Sequence, residues 1–264
     1  MDSKKLIRFI ILFISIFPVV FESFLDWSPL TFFIIGLFIS ILTIVSYKFD
    51  KELFPTLLFF SIVQLTRPLN RELSNYLGVW FAGVLFLIPI LLFTIIILLF
   101  SSIRKNMNWW NIEKKDYFSI YLAVGLVFIS SISLFIWAKY ICADFSIYIE
   151  KFPQMEIKWV LLNGIGFAFL NSIAEEFITR GMLCNGLEKI IDNKKIILFI
   201  QALIFGIMHY YGFPGGLIGV LMVFFWSIVL GILRYRTNGL KTVIIAHFFA
   251  DLTIYLIVYS FKYN

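Results

Sequence analysis

Six ionisable residues stand where an apolar chain should hold none. Glu175-Glu176-Phe177-Ile178-Thr179-Arg180 interrupts a long hydrophobic stretch. The only two histidines, His209 and His247, lie in two later stretches, and Asp251 follows the second. A charged side chain at the centre of a bilayer costs about 3 kcal/mol even on lenient scales, so such residues mark function. Two acids, two histidines and water in a cavity suit hydrolysis. Glu175 can take a proton from water and return it to a leaving amine, while a histidine positions that water. His247 and Asp251 can stabilise the oxyanion that develops on a carbonyl. A divalent metal such as zinc, bound by Glu175, His209 and His247, is chemically reasonable too. The His-Glu-x-x-His pattern of soluble zinc proteases is absent, and spacing leaves both the metal and the metal-free mechanism open.

Helical spacing sorts the roles. Glu176 and Arg180 are four residues apart, in the favourable order for an ion pair on one helix face. Pairing is the tolerable way to hold Arg in a bundle interior. Glu175 points about 100° away and lacks that partner, which makes it the better acid/base candidate. His247 and Asp251 also share a face, so Asp251 can orient His247 or, if protonated, donate a hydrogen bond. Asn171, one turn before Glu175, reads as helix-packing glue.

These residues need helices that bring them to one depth. Glu175 lies fourteen residues before Lys189, and His209 fourteen after Lys195. At about 1.5 Å per residue both sit roughly 20 Å from the same surface, and Asp251 roughly 15 Å. After His209, Tyr210-Tyr211-Gly212-Phe213-Pro214-Gly215-Gly216 must break the helix. Irregular backbone at that depth is tolerated only against protein or a water-filled cavity, so a wet pocket is expected beside His209.

The composition agrees. Of 264 residues 61% are hydrophobic and only 14% charged, against about 25% in soluble domains. The apolar runs are continuous, so the fold class is all-α, a polytopic helical membrane protein rather than a barrel. About eight or nine spans are expected, near 6–22, 29–46, 53–66, 77–100, 117–138, 158–187, 196–213, 216–233 and 241–261. The third, short and interrupted by Pro55, is the least regular and reads as re-entrant or interfacial. The first follows Lys4, Lys5 and Arg8 and could pass for a signal peptide, but no small-residue cleavage site follows, so it reads as a membrane helix. The polar stretch Arg104 to Asp116 is a soft boundary, not a domain linker, between four N-terminal spans of unassigned role (1–116) and five C-terminal spans (117–264) that hold the ionisable residues. With the N-terminus inside, sixteen of the 22 Lys and Arg residues fall in cytoplasmic loops. The net charge of +6 therefore reads as span orientation, with no nucleic-acid partner. Cys142 and Cys184 make neither a disulfide framework nor a four-ligand zinc site and read as small apolar residues.

Three ordered motifs resemble the CPBP family of CAAX proteases and bacteriocin-processing enzymes, also called the Abi family. They are Glu175-Glu176-x-x-x-Arg180, Phe205-x-x-x-His209 and His247-x-x-x-Asp251. Arg236-Thr237-Asn238-Gly239-Leu240 resembles a further stretch of the family, and the likeness covers about 158–260. It implies an intramembrane endopeptidase with its site open toward the cytoplasm. Glu175 and His209 would activate water, His247 and Asp251 would form the oxyanion site, and Glu176–Arg180 would be structural. The expected partners are the bilayer and a peptide or membrane-associated protein substrate, and the expected place is a bacterial cytoplasmic membrane. Two rivals remain at this stage. One is a non-catalytic regulator or immunity protein on the same fold. The other is a proton-coupled transporter, against which stands the lack of a repeated half.

Overall fold

A computed structural model describes residues 2–25, 27–77, 87–110, 113–142, 144–152, 154 and 156–263. Among them the chain is helical, with no strand. In chain order the helices are α1 (Ser3–Phe21), α2 (Pro29–Phe49), α3 (Phe54–Leu77), α4 (Leu87–Leu99), α5 (Ser101–Arg104), α6 (Tyr117–Ile136), α7 (Ser146–Lys151), α8 (Ile157–Glu176), α9 (Cys184–Glu188), α10 (Lys194–Met208), α11 (Gly216–Thr237) and α12 (Lys241–Tyr263). A π-helical segment, Phe177–Leu183, joins α8 to α9 without a break.

Local chemistry sets several ends. Asp2 accepts from the backbone N–H of Lys5 at 2.7 Å and caps α1. Ser28 caps α2 through Thr31 N–H at 3.1 Å, with Pro29 in the first turn. Asn193 caps α10 through Lys195 N–H at 2.9 Å. Asn238 ends α11 in the left-handed region, φ 58°, a conformation that Asn tolerates better than most residues. The expected break after His209 is present: α10 stops at Met208 and α11 starts at Gly216.

Helices α2, α6 with its π-helical extension, α11 and α12 are long and apolar enough to cross a membrane. Their outer faces carry Ile41, Phe128 and Leu221 well exposed, a surface that suits lipid better than water. Four such helices with apolar outer faces are what an integral membrane protein presents. Helix α3 differs from the sequence reading. It runs on from Phe54 to Leu77, beyond the short 53–66 segment. Pro55 sits in its first turn, where its missing N–H removes no helical hydrogen bond. Mean hydropathy undervalued α3 because one face is polar, and Thr56, Ser61, Gln64, Arg67 and Asn70 are turned into the bundle. Residues 78–86, the start of the fourth expected span, lie outside the described residues.

Side-chain contacts define two ends of the bundle. At one, Lys5 pairs with Asp192 (2.6 Å), and Arg8 pairs with Asp50 and Glu52 and donates to the Lys189 carbonyl. Asn106 reaches the Lys51 carbonyl, Lys114 N–H donates to the Thr237 carbonyl at 2.8 Å, and Arg236 pairs with Asp116. This end gathers the basic segments that the sequence assigns to one face. At the other, Tyr148 donates to the Gly212 carbonyl and Lys262 to the Phe152 carbonyl.

The largest apolar core crosses the 104–116 boundary. Leu12, Phe59, Phe93 and Trp109 pack with Phe177, Met182, Leu183 and Ile197. The ring of Phe177 lies 5.1 Å from Trp109 and 5.3 Å from Phe59. The N-terminal helices thus grip the π-helical segment beside the paired glutamates. Helix α12 packs along α8 and α6, and α10 packs along α11. At Gly164 the absent side chain lets the buried Tyr255 ring of α12 lie against α8, since a Cβ there would meet that ring at 2.6 Å.

Candidate active site

Three helices supply the site. Glu175 and Glu176 end α8, His209 caps the C-terminus of α10, and His247 and Asp251 sit one turn apart on α12. The depth argument from the sequence holds: Glu175 Oε2 lies 3.6 Å from His209 Nε2 and 3.6 Å from His247 Nε2. Asp251 Oδ1 is 3.5 Å from the same His247 nitrogen.

The inner layer is a buried polar scaffold. Glu176 and Arg180 are both fully buried and paired at 2.8 Å, as their spacing predicted. Arg180 also donates to Thr179 Oγ1 (3.0 Å) and Ser227 Oγ (2.6 Å), and its guanidinium stacks 4.3 Å over the Phe205 ring. Ser227 in turn donates to Gln201 Oε1 at 3.3 Å. The Thr179 hydroxyl donates to the Glu175 carbonyl at 2.6 Å, which occupies a carbonyl at the point where the α-helical ladder gives way to π-helix. Such π-turns occur frequently at functional sites.

Glu176 does more than pair with Arg180. Its Oε1 lies 2.6 Å from His247 Nδ1, closer than any contact that Asp251 makes with that ring. Glu176 is therefore the group that orients His247. The Trp226 ring meets His247 edge to face at 4.8 Å and fixes it from the side. His209 is held by its own helix: Nδ1 lies 2.9 Å from the Phe205 carbonyl, and the two rings are 4.4 Å apart. The Phe-x-x-x-His spacing thereby acquires two physical tasks, since Phe205 supplies a stacking face for Arg180 and an acceptor for His209.

These bonds dictate what faces the centre. A carbonyl only accepts, so Nδ1 of His209 carries its proton and Nε2 presents a lone pair. With Glu176 accepting from Nδ1 of His247, the neutral ring likewise presents Nε2. Glu175 Oε2 is buried and has no hydrogen-bond partner. With both rings neutral three acceptor atoms converge on one small space, and protonation of His247 turns its Nε2 into a donor. Contacts of 3.6 Å are too long for direct hydrogen bonds, and that spacing is one a water can bridge.

Asn171 is the site residue that sequence reading missed. Its Nδ2 donates to Glu175 Oε1 at 3.2 Å and to Asp251 Oδ2 at 3.1 Å, so it holds the two acids in register. The one-turn spacing to Glu175 was the available signal. Gln201 and Ser227, polar residues inside apolar helices, carried a similar signal for the Arg180 scaffold.

A cavity of about 360 Å³ opens beside His209, His247 and Asp251. It lies where a wet pocket was expected, but most of its walls, including Leu134, Met222, Val223 and Trp226, are apolar. His209, His247 and Asp251 form the ionisable part of its wall, and Ser130 and Ser133 are also on it.

Zinc takes the donor types found here. Among the described residues, however, no group of three or more His, Cys, Asp or Glu side chains is set to hold a metal ion. A metal assignment rests on donor type alone, and no step is routed through one.

Comparison with known proteins gives no matching curated protein and no matching solved structure. A family model does match part of the chain. Residues 157–253, which contain all three motifs and all three site helices up to the last turns of α12, match the family model Rce1-like, described as type II CAAX prenyl endopeptidase Rce1-like, in accord with a CPBP-type intramembrane protease.

Proposed function

We propose that the protein is an intramembrane endopeptidase that hydrolyses a peptide or protein substrate near the cytoplasmic membrane face. The observation that carries this is the orphaned Glu175 Oε2, 3.6 Å from two histidine Nε2 atoms, an arrangement in which a water to one side of the three can reach them all. A water there donates to Glu175 and is steered by His209. Glu175 takes the proton as the water oxygen attacks the scissile carbonyl, then delivers it to the leaving amine. For this role His247 enters the reaction already protonated from solvent, with Nδ1–H held by Glu176 and Nε2–H donating to the oxyanion, and it keeps both protons throughout. Asn171, with both of its Nδ2 hydrogens given to Glu175 and Asp251, holds the two acids in place and leaves the oxyanion to His247. That every motif residue converges supports catalysis over a binding-only role on this fold. The basic end of the bundle is assigned to the cytoplasm by the positive-inside count.

The test is the purified protein in liposomes with two matched peptides, one ending in a prenylated CAAX box and one not, and with products read by mass spectrometry. Cleavage that survives a strong chelator supports the metal-free route. Cleavage lost to the chelator and restored by zinc would replace it with a metal route through Glu175, His209 and His247. No cleavage of any peptide, with the protein folded, would count against the protease reading.

A further inference from the structure

A second cavity, about 700 Å³, lies at the basic end, away from the catalytic residues. It sits between the 113–116 segment, the start of α6 and the first turns of α12. Its mouth carries Lys114, Lys115 and Lys241, all exposed. The acids beside them are already engaged. Glu113 accepts from Thr242 N–H (3.0 Å) and the Thr242 hydroxyl (2.8 Å), capping α12. Asp116 is paired with Arg236 at 2.7 Å and accepts from Ser119 at 2.6 Å. Among the described residues none of the three ammonium groups has a carboxylate partner. The inner part of the same cavity is apolar, and its Ile120, Val124 and Ile245 are about half exposed. Ile245 lies four residues after Lys241, and Ile120 and Val124 lie five and nine after Lys115, so the apolar length starts roughly 6 Å from the lysines and reaches roughly 14 Å. A cationic mouth over an apolar length is complementary to an amphiphile with an anionic head.

We infer that this cavity binds an anionic phospholipid, with its phosphate on Lys114, Lys115 and Lys241 and an acyl chain along Ile120, Val124 and Ile245. Basic residues at the cytoplasmic surface attract acidic lipid by about 1 kcal/mol each. Three of them correspond to a preference of roughly 100-fold. The lipid would hold the 113–116 segment, whose backbone Lys114 N–H is tied to Thr237 just before α12.

The experiment is native mass spectrometry of the full chain, titrated with phosphatidylglycerol or phosphatidylcholine, for wild type and two triple variants, Lys114→Gln/Lys115→Gln/Lys241→Gln and the same positions changed to Arg. The expected result is tight phosphatidylglycerol binding in wild type and the Arg variant, weakened roughly 100-fold in the Gln variant. All three should melt alike in phosphatidylcholine. Equal phosphatidylglycerol affinity in wild type and the Gln variant would overturn the assignment. So would competition by millimolar inorganic phosphate, which would point to a free anion, or displacement by a substrate peptide's C-terminal carboxylate.

Discussion

In the proposed reaction Glu175 is the base, because its free oxygen faces both histidines while its other oxygen is held by Asn171. Glu175→Gln keeps the size and the Asn171 contact but removes the base, so turnover should fall by about 10²–10⁴-fold with the melting temperature nearly unchanged. Peptidase assays and thermal melts on the same preparation check both. Asn171→Ala should lower kcat more than it changes KM, because it frees two acids without touching the cavity wall. A pure KM effect would assign Asn171 to substrate binding instead. Glu176→Ala should fail differently, because it leaves Arg180 buried and unpaired, a loss of about 3–5 kcal/mol. Folded yield is the readout, and normal yield would contradict the structural role of the Glu176–Arg180 pair; turnover alone does not discriminate, because Glu176 also orients His247. The sequence made the charged members of this set legible, since ionisable groups in apolar runs cannot hide. It did not reveal that His247 is oriented by Glu176 on another helix, nor that Asn171 bridges Glu175 and Asp251. Those contacts depend on how α12 is rotated against α8, which spacing along one chain does not specify.

At the scale of elements, the site depends on the close approach of α8 and α12. Gly164 permits it at Tyr255. Gly164→Val should cost about 1–3 kcal/mol through overpacking and reduce activity in proportion to the folded fraction. Loss of activity without loss of stability would place the effect elsewhere. The segment before α6 is clasped by Asp116. The Arg236 guanidinium, then the Ser119 hydroxyl, hold its carboxyl below the usual carboxylate range. A depressed folded value means that its stabilisation is present above that range and is lost as pH falls through it. Acidification toward pH 3 should therefore weaken the wild-type clasp, whereas Asp116→Asn should start weaker at pH 7 and lose less. Parallel melting curves for the two proteins would contradict this. Hydropathy captured α1, α2, α6, α11 and α12 well, because these are apolar around most of their circumference. It shortened α3, whose buried polar face lowers mean hydropathy, and it missed the π-helical turn after Glu176, which leaves no trace in residue spacing.

For the whole molecule, the core that carries Phe59, Phe93 and Trp109 onto Phe177 ties the N-terminal helices to the catalytic ones. A chain beginning at residue 117 should consequently lose these partners and fold poorly, even though all its motif residues are present. Full activity of that fragment would show the N-terminal helices to be dispensable. The topology was legible from charge: basic loops predicted which ends lie together, and the contacts of Lys5, Arg8, Asn106 and Lys114 bring those loops to one face.

The most direct measurement compares peptide termini in cells expressing wild type with those in cells expressing Glu175→Gln at equal level. Membrane and secreted fractions are both mapped by mass spectrometry. A protease that works through Glu175 predicts new termini that appear only with wild type and that purified protein reproduces on the corresponding peptides. Identical termini in both cell lines, with both proteins folded and any cellular phenotype rescued equally, would contradict it and favour a non-catalytic role on the same fold.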